Sequence, residues 1–129
     1  MNPAPASGLH VMVVDDDPVN LRLAARLLRE LGHHGALVNG GEKALCLLAA
    51  RPFDLLLLDV NMPGLGGQDV LAALRRQPPA GRRVAALMVS GHDDPGTQAH
   101  FAALGADGFL TKPLERAALA AALARLGGR

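Results

Sequence analysis

The feature that most constrains this chain is a regular alternation of short β-like runs with longer segments of helical period, repeated five times. The β-like runs are 10–14, 35–38, 54–58, 84–89 and 108–110, and the segments that follow them are 18–31, 41–50, 67–76, 95–104 and 114–126. Runs of this length alternating with helices predict successive βα units, and such units close into a parallel sheet. Residues 55–58 (LLLL) and 84–89 (VAALMV) are apolar throughout, as strands covered on both faces by helices must be. In the first helical segment Ala24, Leu27, Leu28 and Leu31 form an i, i+3, i+4, i+7 stripe, with Arg22, Arg26, Arg29 and Glu30 elsewhere around the cylinder. One face of that helix is therefore buried. The punctuation agrees: Asp17-Pro18 supplies an N-cap with proline at the first helical position, Gly32 and Gly105 end helices, and Pro78-Pro79 forbids continuation. The expected class is α/β, a doubly wound parallel sheet. Residues 1–8 (MNPAPASG) read as a flexible lead-in, 9–126 as one folded domain and 127–129 as a tail.

Composition removes several functional classes. A length of 129 residues leaves room for one domain. The single Cys46 cannot form an internal disulfide, and its place in the second helical segment predicts a buried small hydrophobe. No apolar run approaches the roughly 18 residues of a membrane span, and the first residues lack a secretory pattern, so a cytoplasmic location is expected. A net charge of +1 and only three aromatics, Phe53, Phe101 and Phe109, argue against a nucleic-acid partner.

In a doubly wound sheet ligands bind beyond the carboxyl ends of the strands. Those ends collect Asp15, Asp16 and Asp17 after the first strand, Asp59 and Asn61 after the third, Ser90 after the fourth and Lys112 after the fifth. Two carboxylates about 5 Å apart repel by roughly 3 kcal/mol at an effective dielectric of 20, so converging acids imply a cation. A set of hard oxygen donors without Cys or His favours Mg²⁺, whose waters a phosphate can replace. Lys112 then offers a fixed positive charge and Ser90 a hydroxyl for phosphoryl oxygens, and Asp59 is a candidate nucleophile.

The motifs MVVDDDP (12–18), LLLLDVNMPG (55–64), LMVSG (87–91) and GFLTKP (108–113) together resemble the receiver domain of two-component response regulators. The start DPVNLRLAARLL resembles, more weakly, receivers of hybrid histidine kinases. The resemblance covers about 9–126 and implies a three-layer, flavodoxin-like (βα)5 fold with strand order 2-1-3-4-5. It implies that Asp59 accepts a phosphoryl group from a histidine kinase or histidine phosphotransfer domain, and that the module catalyses only its own phosphorylation and hydrolysis. It further implies that Asp16 and Asp59 bind Mg²⁺ directly, Asp15 through water, and Asn61 through its backbone carbonyl. Lys112 pairs with carboxylate and phosphoryl oxygens, Ser90 moves to the phosphate, and Phe109 turns inward as the switch aromatic. Asn61 and His92 flank the water that removes the phosphoryl group. Serine and phenylalanine stand where the family more often has threonine and tyrosine, so a signal needing a tyrosine hydroxyl is lost. The output partner is a downstream protein or an adjoining kinase domain, the chain being a stand-alone regulator, a relay intermediate or the receiver of a hybrid kinase.

Simpler readings compete at single motifs. An acidic triplet before a helix is also a cap, and Asp17 is read as one. DVNMPG alone is a turn. His33-His34 is assigned no metal, because neighbours on a strand point to opposite faces; loop and strand-start positions are expected. Residues 40–43 (GGEK) lack the spacing of a phosphate loop. The last helical segment is rich in alanine, which is either a propensity-driven solvent face or a docking or homodimer surface. Two other functions compete: a haloacid-dehalogenase-like phosphatase with Asp15 as nucleophile, and a binding-only receiver fold. A flavin binder is disfavoured by three carboxylates where a flavin phosphate would sit.

Overall fold

The computed structural model describes residues 8–91 and 95–127. Asp17 caps the first helix as its sequence foretells: its side chain accepts the Val19 N–H at 2.9 Å, and Pro18 occupies the first turn. The elements run β1 (His10–Val14), α1 (Pro18–Glu30), β2 (His34–Val38), α2 (Gly41–Ala50), β3 (Leu55–Asp59), α3 (Gly67–Arg76), a 3₁₀ turn (Pro79–Gly81), β4 (Ala85–Ser90), α4 (Pro95–Ala103), β5 (Gly108–Thr111) and α5 (Arg116–Gly127). At the end of α1 the Gly32 N–H bonds to the Arg29 carbonyl and the His33 N–H to that of Leu28. Gly105 and Ala106 repeat the pattern after α4, bonding to Ala102 and Phe101. Both are glycine-closed helix ends with the glycine at positive φ, 88° and 104°.

The five strands are parallel in the order β2-β1-β3-β4-β5. Side-chain parity divides the interior into two cores. Val11 and Val13 of β1, Leu55 and Leu57 of β3, and Leu87 and Val89 of β4 meet α1 and α5 on one face. Met12, Val14, Leu56, Leu58, Ala86 and Met88 meet α2, α3 and Phe101 of α4 on the other. That is why 55–58 carries no polar residue: all four leucines are at most 1% exposed, each burial contributing about 2 kcal/mol.

Some boundaries move. Asp59 and Ser90 are the last residues of their strands rather than the first beyond them, because Asp59 pairs in register with Val89 and Ser90 with Thr111. The last helix begins at Arg116, not 114, after a cis Lys112-Pro113 bond. Cys46 is a correction: it is exposed, not buried. The buried positions of α2 are Gly41, Ala44 and Leu48, and residue 46 lies about 200° around the helix from both Ala44 and Leu48. His33 precedes β2 and His34 opens it; the His33 Nδ1 accepts the Leu9 N–H at 2.9 Å, and His34 stacks on His10 at 5.0 Å. The exposed face of α5 consists largely of alanines, Ala117, Ala118, Ala121 and Ala124, while Leu119, Ala122 and Leu123 are buried. Among the described residues no helix is long and apolar enough to cross a membrane.

Candidate functional site

Because β1 and β3 are neighbours, their carboxyl ends deliver Asp15 and Asp59 side by side. Parity sets the facing. Asp59 follows Leu55 and Leu57, and Lys112 follows Leu110, so these side chains with Asp15 converge on the α1 side of the sheet edge and line one narrow cleft of about 20 Å³ with Asn20 and Leu114. Asp15 and Asp59 are buried, 5% and 2% exposed, while Asp16 lies open to solvent. One carboxylate oxygen from each of the three lies within 4.8 Å of the others.

The hydrogen bonds divide the roles of the oxygens. Lys112 Nζ donates to Asp59 Oδ1 at 2.9 Å and stands 3.5 Å from Asp15 Oδ2. The Asn61 N–H also reaches Asp59 Oδ1, at 3.2 Å, and the Asp17 N–H holds Asp15 Oδ1 at 2.9 Å. Asp59 Oδ2 is left: among the described residues it is the buried side-chain oxygen or nitrogen without a hydrogen-bond partner. A buried carboxylate oxygen in that condition is costly unless a ligand completes it.

The electrostatics are asymmetric for a physical reason. Burial pushes the Asp59 carboxyl above the ordinary carboxylate range; the Lys112 hydrogen bond opposes this, and the Asp15 charge adds to it. Burial acts on Lys112 to lower its pKa, but the hydrogen bond and charge of Asp59, with Asp15 behind, outweigh it and raise the net value. Lys112 faces two carboxylates, whereas Asp59 faces one ammonium and another acid. Three carboxylates and one ammonium leave a formal charge of −2, which one divalent cation neutralises. The donor set is all oxygen and includes an orphaned buried atom, so these residues fit Mg²⁺.

Ser90 is 1% exposed at the end of β4, and its carbonyl accepts the Lys112 N–H at 2.7 Å, tying the two strand ends together. By parity Ser90 belongs to the opposite face from Asp59. Phe109 shares that face one strand away, half-buried, with its ring 6.4 Å from that of Phe101. Asn61 is exposed and meets Asp59 through its backbone. His92 lies outside the described residues. The structure thus brings Asp15, Asp16, Asp59, Asn61 and Lys112 together, with Ser90 and Phe109 aligned behind them.

Sequence reasoning missed Gly67. It starts α3 directly beneath the strand end, where an added Cβ would overlap the Asp59 carbonyl oxygen and stand 3.2 Å from Met88 Cε. The signal is present in the sequence as a Gly66-Gly67 pair at a helix start.

Comparison with known proteins agrees with this fold. The family model for the response regulator receiver domain matches residues 11–124. The chain is 34% identical over 125 residues to the sensor histidine kinase AruS of Pseudomonas aeruginosa, covering 96% of this chain and 12% of that protein. It is 34% identical over 119 residues to the sensory/regulatory protein RpfC of Xanthomonas campestris pv. campestris, covering 92% and 16%. The chain therefore spans less than a fifth of these relatives. Among solved structures, the receiver domain of the P. aeruginosa sensor histidine kinase PA1611, with magnesium coordinated in its active-site cleft, superposes with a TM-score of 0.84 at 30% identity, covering 95% of this chain and all of that one. The chemotaxis protein CheY4 of Vibrio cholerae gives 0.84 at 28%, covering 93% and 99%.

Proposed function

The chain belongs to the response regulator receiver domain family of two-component and phosphorelay proteins, and from that membership we propose that Asp59 is its phosphoacceptor, loaded with the help of Mg²⁺. The observation that carries the reading is the buried Asp59 carboxylate, with Oδ1 held by Lys112 and Oδ2 uncommitted. Asp15 is the weaker nucleophile, since its two oxygens are engaged by the Asp17 N–H and the Lys112 ammonium. This argues against the phosphatase alternative.

The donor is a phosphohistidine of a kinase or phosphotransfer domain, as the likeness to sensor histidine kinases suggests. An Asp59 oxygen lone pair forms a bond to phosphorus as the P–N bond breaks; the electron pair returns to the imidazole nitrogen. Asp16, Asp59 and the Asn61 carbonyl, with Asp15 through water, would hold Mg²⁺, which would neutralise charge on the phosphoryl oxygens. Lys112 stays paired with the acidic cluster and offers its ammonium to the phosphoryl group. Ser90 donates its hydroxyl to a phosphoryl oxygen, and movement of its strand end is transmitted to Phe109 on the same face, altering a surface that a protein partner reads. With phenylalanine at 109 this signal is one of shape. Asn61 borders the approach of the water that hydrolyses the acyl phosphate, a step to which the sequence also assigns His92.

The test is intact and peptide mass spectrometry after incubation with Mg²⁺ and acetyl phosphate. One phosphoryl addition on Asp59, lost in Asp59→Asn and in EDTA, is expected. Label on Asp15 would replace this reading with the phosphatase one, and no label from acetyl phosphate or from purified kinases would leave a binding-only module.

A further inference from the structure

At the opposite pole of the sheet, where the strands begin, a second cleft of about 300 Å³ opens between the end of α2, the segment entering β3 and the 3₁₀ turn before β4. Its walls include buried Leu48 and Val84, each 5% exposed, and the half-buried Phe53. Its rim carries the exposed guanidinium groups of Arg51, Arg82 and Arg83, and no carboxylate lines it. Arg51 lies over the Phe53 ring at 5.2 Å from the centroid.

The charge around this cleft is not balanced locally. Two acids lie close by: Asp54, next to Phe53, accepts the His10 N–H on its Oδ2 at 2.7 Å, and Asp107 has its Oδ1 held by Arg83 at 2.9 Å while its Oδ2 takes Arg75 at 3.1 Å and the Ala86 N–H at 2.8 Å. Asp107 thus serves two guanidinium groups, and among the described residues neither Arg51 nor Arg82 is ion-paired. Arg51 follows α2, and Arg82 and Arg83 precede β4, so three guanidinium groups gather where the strands begin. Guanidinium forks match phosphate and carboxylate oxygens bidentately, and the apolar walls beside them suit a flat ring. A cleft of this volume is at the lower end of small-molecule sites.

We propose that this cleft binds a small phosphate monoester carrying a flat apolar ring, with Arg82 and Arg51 on the phosphate and Phe53, Leu48 and Val84 against the ring. The proposal is independent of Asp59 chemistry. A nucleotide and a simple aromatic phosphate share the chemistry, and the experiment separates them.

Isotope-labelled wild-type protein in EDTA, which keeps divalent metal from the acidic site, is titrated with adenosine monophosphate, phenyl phosphate, adenosine and inorganic phosphate while backbone amides are followed by NMR. Saturable shifts at Arg51, Phe53, Arg82 and Val84 are expected, with at least one ringed phosphate binding about tenfold more tightly than adenosine or inorganic phosphate. Tighter binding of the nucleotide assigns a nucleoside source; equal binding assigns aromatic phosphates as a class. Arg51→Gln/Arg82→Gln, both at exposed positions, is expected to weaken binding about tenfold or more with phosphorylation by acetyl phosphate unchanged. Unaltered affinity in that variant overturns the proposal. So do shifts confined to the Asp15 and Asp59 end, equal responses to inorganic phosphate and the ringed ligands, or no binding at millimolar concentration.

Discussion

Replacing Lys112 with methionine keeps most of the aliphatic stem and removes the ammonium from the acidic cluster. At an effective dielectric of 20, separations of 2.9 Å to Asp59 and 3.5 Å to Asp15 correspond to roughly 6 and 5 kcal/mol of gross attraction. The repulsion between Asp15 and Asp59, whose oxygens approach within 4.8 Å, is about 3.5 kcal/mol or more on the same scale and remains. The net loss is smaller than the gross term, because Lys112 is no longer desolvated and because Asp59, already raised above the ordinary carboxylate range, can take up a proton. Removing one partner of a buried pair costs about 3–5 kcal/mol. With Lys112 still 26% exposed, the lower end, about 3 kcal/mol, is expected. The assay is urea unfolding at pH 7.5 in EDTA, where the midpoint falls and the slope is unchanged. Two signatures identify charge as the cause. Loss of the ammonium raises the folded pKa of Asp59 further, so the destabilisation, measured at pH 7.5 and again at acidic pH, is present above that value and fades as the carboxyl protonates. Millimolar Mg²⁺ also restores part of the loss, by binding the folded cluster. A loss below about 1 kcal/mol, or one equal at both pH values and indifferent to Mg²⁺, refutes the reasoning and leaves Lys112 as packing.

Three further outcomes follow from other parts of the molecule. Gly67→Ala forces a methyl group against the Asp59 carbonyl; a loss of about 1–3 kcal/mol in urea unfolding and slower labelling by acetyl phosphate are expected, and wild-type values for both would remove Gly67 from the site. Asp107→Asn strips the charge that holds Arg75 and Arg83, and a loss of about 3 kcal/mol, measured by the same unfolding curve, is expected. Burial, then the neighbouring His34 charge, lowers the His33 pKa, so the unfolded chain binds the extra proton. His33 thus contributes stability above an ordinary pKa of about 6.5 that is lost as pH falls through its lower folded value. His33→Gln therefore flattens the decline in urea midpoint between pH 7.5 and 5.5, and an unchanged slope disproves the assignment.

The acidic cluster shows how far the sequence can be read. Asp15, Asp59 and Lys112 were legible because βα alternation places every strand end on one edge, so residues 44 and 53 positions apart needed no further information to be brought to that edge. Ser90 and Phe109 were legible only as positions; that they occupy the opposite face from Asp59 depends on strand parity, and a one-residue shift in strand end reverses it. Cys46 was misread because α2 has a narrow buried stripe, and the hydrophobicity of neighbouring residues did not reveal which side of the helix met the sheet.

By itself the sequence determined the element order, the helix ends at Gly32 and Gly105, and the pooling of carboxylates with one lysine, because these follow from local periodicity, capping and the rule that parallel strands share an edge. The tertiary structure alone decided which oxygen of Asp59 is left without a partner, why Gly67 admits no side chain, and that Arg51, Arg82 and Arg83 gather round one cleft. Those arginines come from the end of α2 and the loop before β4, segments about 30 residues apart. Their approach rests on packing against Leu48, Phe53 and Val84, and no periodicity along the chain encodes it.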